Sequence, residues 1–233
     1  MRSFFALALL ISVCLTGACA RKVKVEINSL AEHEETRQAG YLAGRRCLVL
    51  PAKPDVSPDD LQFREFSAQV STSLALKDCA PAQGLEDADL AVFLHYGVGD
   101  PIIVEQHGYV IYRPWGRWGR GIADYIPVTT TYVFHACGLS LEARLVEKAT
   151  APPAGTKKRG ASSGPAAEEG AKPGRQVWKV DATHIGRQSD LRALFPWLLA
   201  AAKEYYGVDS GQNILVKVGV EDLIASPPEP DAP

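Results

Sequence analysis

"VSPDDLQFREFSAQVSTSLALKDC" (residues 56–79) is the segment on which the fold turns. Leu61, Phe63, Phe66, Val70 and Leu74 recur in it at helical spacing, and Ser57, Pro58, Asp59 and Asp60 precede them. A serine cap, a proline at the first helical position and two carboxylates beside exposed amides all suit a helix start. The spacing therefore predicts an amphipathic helix opened by Ser57. Before it, "CLVLP" (47–51) reads as a short buried strand ended by Pro51 and Pro54. After it, "DADLAVFLHYGVGDP" (87–101) is a near-continuous apolar run of strand length, stopped by glycines and Pro101. Strand, helix, strand in that order implies a crossover that sets the two strands parallel or nearly so. The helix end then returns to the start of the first strand and brings Cys79 near Cys47. Two readings stay open: a Cys47–Cys79 disulfide with Cys137 as the odd thiol, or three buried, reduced cysteines.

Beyond this unit the pattern continues in both directions. "RKVKVEIN" (21–28) alternates Val23, Val25 and Ile27 with Lys22, Lys24, Glu26 and Asn28, a strand with one wet face. From Tyr109 the chain reads as an irregular aromatic loop, followed by a long strand from Thr129 to Glu147. Its later part turns Leu139, Leu141, Ala143 and Leu145 inward and Ser140, Glu142, Arg144 and Val146 outward. Residues 148–176 are rich in Ala, Gly, Pro, Ser and charge without periodicity, and predict a disordered insertion between two strands. "QVWKVDATHIG" resumes as a strand. "SDLRALFPWLLAAAKEYYG" is a second helix, capped by Ser189 or Asp190, striped by Leu191, Leu194, Leu198 and Tyr205, bent at Pro196 and ended by Gly207. "QNILVKVGVED" is the last strand, and 221–233 a Pro-rich tail. Two amphipathic helices and a mixed sheet of about five strands predict an α+β, two-layer sandwich with both helices on one face.

The first 18 residues carry one cation, Arg2, an apolar run from Phe4 to Leu15, and then Thr16, Gly17 and Ala18. That is the anatomy of an export signal; a membrane span needs about 20 apolar residues. Cys19 follows directly, and Leu15-Thr16-Gly17-Ala18-Cys19 resembles the bacterial lipobox, with Thr16 where leucine is commonest. Cys19 is accordingly the expected site of lipidation, diacylglycerol on its thiol and palmitate or a similar acyl chain on the new amino terminus. The alternative is an ordinary secretory signal in which Cys19 is incidental. Ala20, where aspartate would favour inner-membrane retention by resemblance to the sorting rule of enteric bacteria, predicts the outer membrane and a periplasm-facing body. Residues 19–220 suffice for one domain with its own core. A net charge of −2 spread over both signs offers no electrostatic case for nucleic acid as partner.

Taken together, "DADLAVFLHYGVGDP", the Tyr/Gly-rich stretch, the long strand, "WKV" and "LFPWLLAAAKEYYG" resemble the bacterial lipoproteins catalogued as domain of unknown function 4136, over roughly residues 60–220. The resemblance implies an envelope lipoprotein. It carries over no catalytic residue, and residues 29–45 and 150–175 depart from it.

No catalytic signature stands in the sequence. The five histidines are His33, His95, His107, His135 and His184. His135 and Cys137 share a strand face with His95 on a neighbouring strand, yet no close ligand pair of the usual spacing is present, so neither metal nor cofactor is expected. Ser73, Ser140 and Ser189 lack a nucleophile elbow. Cys137 lies within a strand without a helix start to lower its pKa. The acid pairs Glu86/Asp87 and Glu168/Glu169 are adjacent in sequence. Gly97-Val98-Gly99 is a lone fragment of a nucleotide loop. "YRPWGRWGRG" sets Tyr112, Trp115 and Trp118 among Arg113, Arg117 and Arg120. It is either a contact loop for a headgroup, glycan or envelope protein, or a hairpin tip folded back on the sheet. The expected function is non-catalytic, envelope structure or assembly through protein or glycan contacts; the alternative is a small-ligand or metal-binding envelope module.

Overall fold

Asp60, not Ser57, opens the helix in the 56–79 segment. In the computed structural model of the chain, which describes residues 22–32, 41–112, 124–148 and 171–224, helix α1 spans Leu61–Ala75. One Asp60 carboxylate oxygen accepts the amides of Gln62 and Phe63, both at 2.9 Å. Ser57 closes the turn before it, its hydroxyl accepting the Asp59 amide and its carbonyl the Asp60 amide. The carboxylate satisfies two orphan amides at once and adds negative charge at the positive helix end, which a hydroxyl cannot do. Pro58 thus lies in the turn and Leu61 is 79% exposed; the buried stripe is Phe63, Phe66, Val70, Ser73 and Leu74.

The other elements are β1 (Val23–Ala31), β2 (Arg46–Pro51), β3 (Ala80–Pro81), β4 (Leu90–Val98), β5 (Ile102–Tyr112), β6 (Asp124–Glu147), β7 (Lys172–Gly186), α2 (Leu191–Ala202), β8 (Ile214–Val218) and α3 (Val220–Ile224). The sheet runs β3-β2-β4-β6-β7-β1-β8, with β5 on the outer part of β6. The fold is α+β and dominated by strand, with eight strands among the described residues where the pattern predicts about five. The two-residue β3 is too short for any periodicity to reveal. β5 replaces the start of the expected loop at Tyr109. The crossover through α1 does set β2 and β4 parallel; β1, β6 and β7 pair antiparallel with their neighbours.

Two boundaries move. β7 begins at Lys172 opposite Glu147, so the last five residues of the expected insertion, 172–176, belong to the hairpin, and Arg175 reaches Glu32 at 2.6 Å. Residues 149–170 lie outside the described residues. Val220–Ile224 forms a short helix where the tail was expected to start, held by the Gly219 amide on Asp222 at 2.7 Å.

One face of the sheet carries the core. Val25, Ile27, Leu90, Val92, Leu141, Ala143, Val180 and Ala182 are fully buried there. Phe66 of α1 stacks on Phe195 of α2 with ring centroids 4.0 Å apart and meets Tyr96 of β4 edge-on at 4.8 Å. α2 is capped by Asp190, which accepts the Ala193 amide. It ends at Ala202 in a 3₁₀ turn holding Tyr205, and Gly207 follows with φ 71°. Pro196 sits inside α2 and cannot donate to the Arg192 carbonyl.

Among the described residues Trp178 is the largest fully buried side chain; it lies against Tyr206, centroids 5.4 Å apart, and its indole N–H has no partner among them. An unmade buried hydrogen bond costs about 1–3 kcal/mol, comparable to what the lost ring volume contributes. Trp178→Phe is therefore expected to change stability by less than about 1 kcal/mol in urea unfolding. A loss above about 3 kcal/mol would mean that the N–H has a partner in solution.

Candidate functional site

The register separates the soft ligands. In the β4/β6 ladder Val98 lies opposite Cys137, and His95 lies opposite Ser140. Side chains alternate across a strand, so His95 and Cys137 occupy opposite faces, and the convergence of His95, His135 and Cys137 that a shared metal would need does not occur. His135 does share the face of Cys137, which is paired with His184, and the His184 Nδ1 is 2.8 Å from the Lys24 carbonyl oxygen. Among the described residues no group of three His, Cys, Asp or Glu side chains is arranged for a metal ion; His33 lies outside them. Burial pushes the Cys137 thiol above its usual range, and the charge of Asp190 adds to that, so the thiolate is disfavoured. Cys47 and Cys79 are joined, with Cα atoms 6.0 Å apart, and Cys137 is a buried free thiol.

The face opposite the core places His95, Ser140 and Asp181 in one row across β4, β6 and β7. Nucleophile activation needs the imidazole between hydroxyl and carboxylate. Here Ser140 occupies the middle, and Asp181 is engaged by Lys179 at 2.9 Å. The rest of this face is a solvated ladder: Arg144 bridges to Glu142 and lies 5.5 Å over the Phe93 ring.

What leaves the body is a ribbon. β4 ends where Gly99 donates to the Ala136 carbonyl at 2.8 Å. After Pro101, β5 takes up the same edge of β6. Ile102 pairs with Phe134, and the register runs unbroken for 11 residue pairs to Tyr112 and Asp124. The later half of β6 sits mid-sheet, while its first half has β5 as its described neighbour. Ile102, Ile103 and Val104 at the root and Tyr109, Val110 and Ile111 near the tip are exposed on β5, with Ile103 at 64% and Tyr109 at 72%. Ile126, Val128 and Val133 are exposed on β6. Between these ends lies a polar band, where His107 Nδ1 is 3.0 Å from Thr129 Oγ1. At the root the Arg187 guanidinium lies 4.8 Å over the Tyr132 ring, in a groove of about 410 Å³ lined also by Val104, Gln106 and Phe134.

Isolated two-stranded hairpins are marginal in water, and long apolar edges invite pairing. A ribbon of this length and character is the candidate contact element among the described residues. Sequence reading missed it; the β-branched "IIV" at 102–104 and the threonine run at 129–131 were the available signals. The backbone of Tyr112 ends β5, whereas Arg113, Trp115, Arg117, Trp118 and Arg120 lie outside the described residues, as does Cys19.

No family model and no curated protein matches the sequence. One solved structure, a PDZ domain protein from Parabacteroides distasonis ATCC 8503, is similar over 90% of this chain at 10% identity and a TM-score of 0.42. The chain spans 42% of that protein's length, and at such a score the likeness carries no argument about fold or function.

Proposed function

We propose that the chain is a lipid-anchored, periplasm-facing envelope protein that acts through contacts and not through catalysis. The observation that carries the contact part is the β5/β6 ribbon, which projects apolar side chains from the body. The anchor rests on the signal-like first segment and Cys19. β1 starts at Val23, four residues after that cysteine, so an acylated Cys19 would hold the sheet within about 15 Å of the bilayer surface. The resemblance to domain of unknown function 4136 lipoproteins supports the same address, and Ala20 favours the outer membrane. In this reading the body is a two-layer sandwich whose helix-free sheet face stays open to solvent or to glycan.

Mass spectrometry of the amino-terminal peptide from a bacterial host that performs the modification tests the anchor. Acyl chains on Cys19 are expected. Cys19→Ala is expected to lose them and to move the protein from the membrane pellet to the soluble fraction, since each buried methylene contributes about 0.8 kcal/mol and two or three chains bind essentially permanently. An unacylated parent chain would overturn this part of the proposal.

A further inference from the structure

β5 reads in similar blocks from either end: apolar at 102–104, polar at 105–107 and, after Gly108, apolar at 109–111. About Gln106 as centre, Glu105 mirrors His107, Ile103 mirrors Tyr109 and Ile102 mirrors Val110, while Val104 meets Gly108 without a match. β6 repeats the symmetry about Thr130, the residue opposite Gln106: threonines flank it, and Ile126 mirrors Phe134. The ribbon is therefore apolar, polar, apolar, with its centre at the Gln106–Thr130 pair. A two-fold axis at the outer edge of β5, beside Gln106, sets the root of one copy against the tip of the other, so that each contact of i with j is repeated as j with i, as an isologous interface requires.

We propose that the ribbon pairs with the ribbon of a second copy of this chain, β5 against β5, antiparallel and centred on Gln106. This names the partner of the contact element described above and rests on the ribbon being one. In that register Glu105 of each copy faces His107 of the other, and Ile102 faces Val110, with matched side chains on the same face of the new four-stranded sheet. β5 holds no proline from Ile102 to Tyr112, so it keeps a full set of amide donors, whereas Pro127 takes one from β6. Six of the ribbon's nine exposed apolar residues lie on β5, the strand that would carry the seam. Residues 102–112 and 124–134 contain neither lysine nor arginine, so nothing in the described ribbon draws it to anionic headgroups. A polar band in mid-ribbon also suits a mirrored copy better than a bilayer interior.

Cysteine placement tests the axis in the full chain, on non-reducing gels with the parent chain as background. Positions 102, 105, 106, 107 and 110 are all exposed, so substitutions there leave the core intact. Gln106→Cys is expected to shift the chain to a disulfide-linked homodimer. Val110→Cys alone should stay at background, and Val110→Cys mixed with Ile102→Cys should cross-link. Absence of the Gln106→Cys dimer, equal cross-linking at 106 and 110, or linkage to a different protein would each overturn the pairing. Sedimentation adds a second readout: Glu105→Lys should weaken self-association at least tenfold, and Glu105→Lys with His107→Glu should restore it. A monomeric parent chain, or no rescue, refutes the register. A chain acylated on Cys19 that fails these tests keeps its anchor and loses only its partner.

Discussion

Phe66→Ala is expected to lower stability by about 3–5 kcal/mol, the range for truncating a fully buried phenylalanine. The ring has no solvent exposure and is a point at which α1, α2 and β4 meet, stacked on Phe195 and edge-on to Tyr96. A cavity there cannot be closed by one element alone, because each wall is held by a different part of the sheet. Urea unfolding should show a lower midpoint at unchanged slope. Phe66→Leu, which keeps most of the volume, should lose under about 2 kcal/mol. The double variant Phe66→Ala/Phe195→Ala should lose less than the two single losses added, by about 0.5–1.5 kcal/mol, since the pair shares its stacking contact. A loss for Phe66→Ala below about 1 kcal/mol would mean that the helices do not enclose this ring.

Removing the Cys47–Cys79 bond should have an effect of similar size. The two residues are 32 apart, and closing a loop of that length constrains the unfolded chain by about 3–4 kcal/mol in the chain-entropy account. Cys47→Ala/Cys79→Ala should therefore unfold at lower urea than the parent. Reductant should bring the parent to the same midpoint and leave the double variant unchanged. Thiol counting on unfolded, unreduced protein is the decisive check: recovery of both cysteines as free thiols would return the chain to the reading in which all three are reduced. The bond ties the end of α1 to the start of β2, so its loss should loosen β3 and the crossover first and leave the β6/β7 hairpin nearly untouched.

Legibility followed burial. α1, β4 and the later half of β6 were readable because each has one face in the core, and an apolar repeat records that face. The approach of Cys79 to Cys47 followed from crossover geometry alone. The cap was harder: Ser57-Pro58 and Asp60 each make a sound helix start, and the choice depends on where β2 releases the chain, which is tertiary information. β5 left no readable period because both of its faces are wet, so apolar and polar residues fall in blocks instead of alternating. The separation of His95 from Cys137 hangs on register, and a slip of one residue between β4 and β6 would put them on the same face. No local pattern records such a choice. Nor does any local pattern place the amino-terminal strand between β7 and β8.

That placement governs how the chain can be assembled. β1 is the first strand to be synthesised, yet Glu26 takes Thr183 on one side and Leu215 on the other. Its inner end is stitched by Ser29, whose hydroxyl donates to the Val208 carbonyl at 2.6 Å and whose backbone exchanges hydrogen bonds with Ser210. None of those partners exists until the ribosome has passed Thr183, and the set is incomplete until it has passed Leu215. The earliest apolar strand must therefore wait, unpaired and sticky, while everything that will flank it is made. A nascent chain of this kind stays loose late into its synthesis, because its non-local strand pairs form last.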